Sequence, residues 1–258
     1  MKLSAAIITL NEERNLAACL DSLDFCDEWV VVDSLSQDAT CEIARSKGAK
    51  VIDQAFLGHV RQKQLAVDSC SHDWVLCLDA DERISPELRA SILALKNQEE
   101  PELAGYQVNR LSWHLGRWIR HGGWYPDRNI RLFDRRRGHW AGYDPHDKVE
   151  VEGPVGLLTG DLHHYVFKDL AHNVATNNSY SGIMAKDLAQ AGKGPSLLKL
   201  LFKPPWKFVE CYVLKAGFLD GMAGFIIAVG AAYSLFLKFA KLWEQQTLDP
   251  GDSEQPRK

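Results

Sequence analysis

Trp74-Val75-Leu76-Cys77-Leu78-Asp79-Ala80-Asp81-Glu82 decides how this chain folds. Five apolar residues without alternation are expected of a strand buried on both faces, and the run ends at once in acids. Just downstream, Ser85-Pro86-Glu87 supplies an N-cap, a proline in the first helical turn and an acid near the helix dipole. Upstream the same alternation recurs. Leu3 to Leu10 predicts a first buried strand, and Asn11 to Leu23 a helix with Leu16, Leu20 and Leu23 on one face. Trp29 to Asp33 predicts a second strand. Ser34 to Lys47 starts polar and turns helical, stopped by Gly48. Lys50 to Asp53 and Val60 to Ser69 predict a third strand and a third helix. Strands and helices alternating this closely imply an α/β fold with a mostly parallel, Rossmann-like sheet. Ligands bind such sheets beyond the carboxyl ends of the strands, where Thr9, Asp33 and Asp79 converge.

Asp79 and Asp81 sit at positions i and i+2, so in extended backbone they point to one side. Like charges this close are costly unless a cation lies between them or one takes a proton. A divalent ion, Mg²⁺ or Mn²⁺, held by Asp81 and Asp79 and by the phosphates of a substrate resolves that cost. The same acids also suit a solvated turn that caps the next helix. Asp33 can accept a uracil imide N–H or a ribose hydroxyl, or cap the segment after it. Thr9-Leu10-Asn11-Glu12 ends the first strand, and Lys63 offers a point charge for a phosphate.

At these positions the chain resembles the family 2 inverting glycosyltransferases of the GT-A fold. Thr9-Leu10-Asn11-Glu12 matches the turn after their first strand, Asp33 their nucleotide-contacting acid, and Asp79 with Asp81 their Asp-x-Asp. The likeness continues through Gly116 to Asp127, Arg131-Leu132-Phe133, Pro145-His146-Asp147-Lys148-Val149 and Gly217-Phe218-Leu219-Asp220-Gly221. These segments are similar to bacterial lipopolysaccharide inner-core glucosyltransferases of the heptose-directed β-1,4 type. Two departures stand out: Lys63-Gln64 where relatives carry Lys-Asn, and His146-Asp147 where they carry His-Glu. The resemblance implies a nucleotide-sugar donor, with UDP-glucose the first expectation, contacted by Thr9, Asn11, Glu12, Asp33, Lys63, Asp79 and Arg131. It implies a base at Asp147, with Asp144 and His146 as close rivals in a cluster that also reads as a turn. Arg131 suits a departing diphosphate. Trp124 and Tyr125 are expected to stack on the acceptor sugar, as Trp113, Trp118 and Trp140 also can.

A net charge of −4 over 258 residues gives no reason to expect a nucleic-acid partner. No GxGxxG follows the first strand and no GxxxxGK[ST] occurs, which disfavours dehydrogenase and kinase chemistry. Six cysteines without metal or disulfide spacing predict a reduced setting, and the short N-terminal apolar run predicts no cleaved signal peptide. The expected division is a catalytic domain over 1–168, a helical region over 169–244 and a disordered tail over 245–258. Gly221 to Leu237 carries no charge, and Lys199, Lys203, Lys207 and Lys215 precede it. That pattern predicts peripheral attachment to an anionic membrane surface, at the cytoplasmic face of the bacterial inner membrane. A helix buried in the protein and a short membrane span are the alternatives. Two other functions remain open: transfer to a polyprenyl phosphate, and a non-catalytic sugar-nucleotide-binding scaffold.

Overall fold

The computed structural model describes residues 1–98, 101–143 and 146–247. Its contacts divide the chain into two units, one of 1–111 with 126–165, the other of 112–125 with the chain from Val166 on.

The first unit begins with the alternation expected from the sequence: β1 Leu3–Thr9, α1 Leu16–Asp21, β2 Glu28–Asp33, α2 Thr40–Ser46, β3 Lys50–Asp53, α3 His59–Asp68 and β4 Trp74–Asp79. The strands lie in the order β3-β2-β1-β4, all parallel. Leu3, Ala5 and Ile7 of β1 and Val30, Val31 and Val32 of β2 are fully buried, as double-sided cover requires. Leu16, Leu20 and Leu23 face this core without exposure. Each such side chain stabilises the fold by about 1.5–3 kcal/mol relative to exposure. The first helix is shorter than its apolar spacing suggests. Asn11 takes a positive φ of 54°, and the Glu12 carbonyl accepts the N–H groups of Asn15 and Leu16, so the helix opens only after a turn.

After β4 come β5 Glu82–Ile84, α4 Pro86–Lys96, β6 Gly105–His114, β7 Arg117–Ile119, β8 Asp127–Asp134, β9 Gly138–Tyr143, β10 His146–Val151 and β11 Val155–His164. Ser85 caps α4 by accepting the Leu88 N–H, as the sequence predicts. β8 runs antiparallel to β4, and the sheet continues through β6, β11 and β5, while β9 and β10 form a separate hairpin. The sheet is therefore mixed: its first four strands form the parallel, Rossmann-like half. The strands expected near Tyr106, Asn129 and Lys148 are present within β6, β8 and β10.

The second unit consists of the end of β6 paired with β7, then α5 Leu170–Gln190, α6 Leu197–Val209 and α7 Gly221–Thr247. Asp169 caps α5 and Ser196 caps α6. Irregular turns over Glu210–Leu214 and Gly217–Asp220 link α6 to α7. Gly224 lies so close to the Gly217 carbonyl that no side chain fits between them, which holds the start of α7 against that turn. α7 runs three residues into the stretch expected to be tail, and 248–258 fall outside the described residues.

Candidate active site

Strand register brings the sequence-predicted residues of the first unit together. Thr9 is paired with Asp33, and its neighbour Ile8 with Asp79, so three strand ends meet at one edge. Asp33 is buried, and its carboxylate accepts the Ser36 N–H at 2.7 Å and the Ser36 hydroxyl at 2.5 Å. Asn11 and Glu12 work on the same loop: Asn11 accepts from Gln37 N–H at 2.9 Å, and Glu12 N–H donates to the Thr40 hydroxyl at 2.8 Å. Both therefore shape the rim of this edge, whatever else they contact. The Thr9 hydroxyl is buried with no hydrogen-bond partner among the described residues.

A network of buried charge lies beside that rim. Lys63, on α3, sits 3.1 Å from one Asp79 oxygen and donates to Asp147 Oδ2 at 2.8 Å, over the face of Trp140. Arg131 on β8 donates to Glu82 Oε1 at 2.7 Å and lies 3.5 Å from Asp79. Glu82 is fully buried and its other oxygen accepts the Asp79 N–H at 2.9 Å, which fixes the backbone of the motif. Burial alone raises a carboxyl pKa, but Lys63 and then Arg131 more than reverse this at Asp79, which is held well below the usual range. Burial likewise favours neutral Lys63, yet Asp79 and Asp147 raise its pKa above the ordinary lysine value.

Asp81 turns to a different partner. Its Oδ2 lies 3.3 Å from Nε2 of His164, the last residue of β11. His164 was not expected from the sequence. Its signal was only a His-His pair in a strand with weak alternation, and what makes it significant is the antiparallel pairing of β11 with β5, which sets His164 opposite Glu82.

Lys63, Arg131 and Arg110 supply three positive charges, whereas Asp79, Asp81, Glu82, Asp147 and Asp127 (the second partner of Arg110) supply five negative ones. The net deficit of two, with an imidazole and a carboxylate oxygen side by side, fits a divalent metal with oxygen and nitrogen donors. Asp79 is already served by two protein cations, so Asp81 with His164 is the better-placed ligand pair. Arg131 Nε and Nη1 are buried without hydrogen-bond partners among the described residues, leaving donors for an anion such as phosphate. Asp33, Cys41 and Asp53 also cluster, but Arg45 neutralises Asp53 at 3.1 Å.

Of the proposed bases, Asp147 joins this network, His146 is exposed with its ring 5.3 Å from Tyr143, and Asp144 lies outside the described residues. Gln64, the departure from Lys-Asn, accepts the Trp140 N–H at 2.8 Å and so supports the β9–β10 hairpin. Trp124 and Tyr125 belong to the second unit: Trp124 stacks on His114 at 5.9 Å, and Arg120 covers Tyr125 at 5.5 Å. Trp140 is buried beside Lys63 and Arg131, and Trp113 packs edge-on against Trp118.

Residues 4–150 match the model of glycosyl transferase family 2. The chain is 33% identical over 260 residues to the lipopolysaccharide core biosynthesis glycosyltransferase LpsC of Rhizobium meliloti, covering 96% of this chain and 94% of that protein. An uncharacterized glycosyltransferase of Rickettsia typhi is 35% identical over 256 residues, covering 94% and 87%. Among solved structures, a mannosyltransferase of Pyrobaculum calidifontis in complex with GDP-Man and Mn²⁺ shares the fold, with a TM-score of 0.54 and 15% identity over 95% of this chain and 88% of that one.

Proposed function

Because the chain belongs to glycosyl transferase family 2, we propose that it transfers a sugar, with inversion, from a nucleotide-sugar donor to the inner core of lipopolysaccharide. One observation carries this reading: the net-negative cluster of Asp79, Asp81, Glu82, Asp147, Lys63 and Arg131 beside the carboxyl edge of the parallel strands. The core acceptor rests on the likeness to the Rhizobium meliloti protein, and the donor of first choice is UDP-glucose.

Asp33 and the Thr9 hydroxyl face the nucleoside, and the unspent donors of Arg131 take the diphosphate. Asp81 and His164 would hold Mg²⁺ or Mn²⁺, which when bound neutralises the leaving diphosphate. Asp147 is the general base. Lys63 occupies its Oδ2, which leaves Oδ1 to take the acceptor hydroxyl proton as that oxygen attacks the anomeric carbon. Lys63 in turn orients this carboxylate and stays protonated next to it. Trp124 and Tyr125 are the proposed acceptor contacts.

The protein attaches peripherally to the cytoplasmic face of the inner membrane. In support, Leu198, Leu201, Phe202 and Trp206 of α6 are exposed among Lys199, Lys203 and Lys207. Among the described residues one helical stretch, Gly217–Thr247, is long and apolar enough to cross a membrane. Only 22% of its apolar window is buried, and Met222, Phe225, Val229 and Phe236 are exposed, an apolar surface that suits lipid contact beside the α6 lysines.

The test is transfer of labelled sugar from UDP-glucose, UDP-galactose, UDP-N-acetylglucosamine or ADP-heptose to heptose-terminated core lipopolysaccharide. One donor should support transfer, with Asp147→Asn lowering the rate by about 10²- to 10⁴-fold. Transfer to polyprenyl phosphate instead would move the acceptor assignment. No transfer from any of these donors would support the scaffold reading.

A further inference from the structure

The second unit holds a half-open cavity of about 310 Å³, the lower end of the range for small-molecule sites. Its two long walls differ in chemistry. From α5 come Asn173 and Asn177, while α7 presents Ile226, Ile227, Gly230 and Leu235. Asn177 Nδ2 donates to Asn173 Oδ1 at 3.2 Å, which leaves the Asn173 amide N–H groups and the Asn177 amide oxygen for a ligand.

His114 closes one end. It is only 3% exposed, stacks on Trp124, and its ring nitrogens have no hydrogen-bond partner among the described residues. Burial pushes its pKa below the ordinary histidine value, so the ring is neutral and offers one donor and one acceptor. Neither ring nitrogen is among the sealed-off polar atoms of the fold, so a ligand or water in the cavity can reach the ring. Lys207 is the only cation in the lining, and it shares Glu210 with Lys215, so the trio keeps one positive charge.

We infer that this cavity binds a single alkyl chain carrying an anionic head group, the chain along the aliphatic wall of α7 and the head at Lys207, Asn173, Asn177 and His114. A free sugar would leave the aliphatic wall unused, and an uncharged alkane would leave the polar groups unpaired. Small residues make the space: Gly230 approaches both amides, where a Cβ would lie 3.9 Å from each. The site is independent of the donor cluster, which belongs to the first unit.

The test is calorimetric titration of the full chain with straight-chain carboxylates of eight, ten and twelve carbons, each below its micelle-forming concentration. Saturable one-to-one binding is expected, tightening about fourfold per methylene. Gly230→Leu, or Ser234→Leu if the first fails to fold, should weaken it at least tenfold with the thermal midpoint retained. Trp206→Glu, on the exposed face of α6, should leave it unchanged. Dodecyl phosphate tests whether the preferred head is that of a fatty acid or of a phospholipid, and either preference supports the site. Heats that do not saturate, binding lost in Trp206→Glu but kept in Gly230→Leu, or dodecyl maltoside binding as tightly as dodecanoate would each overturn the proposal.

Discussion

The molecule has two buried centres built around aspartates, one in each unit, and they are satisfied in opposite ways. Asp220 is 2% exposed and takes the N–H groups of Arg120 at 3.1 Å and His121 at 2.8 Å, while the Arg117 guanidinium lies 3.5 Å away. Arg117 also donates to the Asp220 carbonyl at 2.8 Å. All of these partners come from β7 and the two residues after it, about a hundred residues earlier in the chain, so the acid ties the turn before α7 to that strand. At the sheet edge, five carboxylates share three cations drawn from α3, β6 and β8, and two negative charges are left over. A centre whose acid is fully matched by its partners serves the fold. One left short of charge by the whole sheet is built for something that arrives later.

That contrast predicts where substitutions act. Asp220→Ala should cost about 3–5 kcal/mol of stability, since it leaves two buried N–H groups and a guanidinium without their acceptor. Urea denaturation followed by circular dichroism measures this, and donor binding per folded molecule should be unchanged. Asp81→Ala should do the reverse. Transfer should fall by about 10²- to 10³-fold with little change in the denaturation midpoint, because its removal relieves a surplus of negative charge.

pH separates the two centres further. Asp79, Asp27 and Asp134 have pKa values lowered in the fold by their cationic and hydrogen-bonding partners, despite burial. Groups with depressed pKa stabilise the fold above their unfolded value and lose that contribution as they are protonated. The first unit should therefore hold constant stability down to about pH 4 and lose it below. His114 in the second unit has a depressed pKa from burial, so its unfolded form binds a proton first. Stability linked to it should begin to fall below about pH 6.5. Urea midpoints across pH 3–8 for wild type and His114→Gln would resolve the two limbs. The smallest effect belongs to a polar group that is satisfied but replaceable: Ser85→Ala, removing the cap of α4, should cost about 1 kcal/mol.

The sequence made the parallel half legible because its signals are local. The apolar runs at Leu3, Trp29 and Trp74 and the cap at Ser85 each carry their own instruction, and strand order then brings Thr9, Asp33 and Asp79 to one edge. The antiparallel half was harder. β9 and β11 alternate weakly, with glycines and exposed polar residues, and their places depend on partners far along the chain. His164 was missed for that reason, since only the pairing of β11 with β5 brings it to Asp81. The packing around Trp124 was not legible either, because an aromatic residue in sequence does not reveal what covers it. In the fold, His114 and Phe167 pack on Trp124. Lys63 was expected to offer its charge to a phosphate, and the sequence did not show that its helix turns it inward to bridge Asp79 and Asp147.

The central claim is that the sheet edge takes a nucleotide sugar together with a divalent ion held by Asp81. Calorimetric titration of the purified chain with UDP-glucose, with and without Mn²⁺, and repeated on Asp81→Ala, tests it most directly. Saturable binding that requires Mn²⁺ and disappears in the folded variant is the expected result. Binding of equal affinity with and without metal, unchanged in Asp81→Ala, would contradict it.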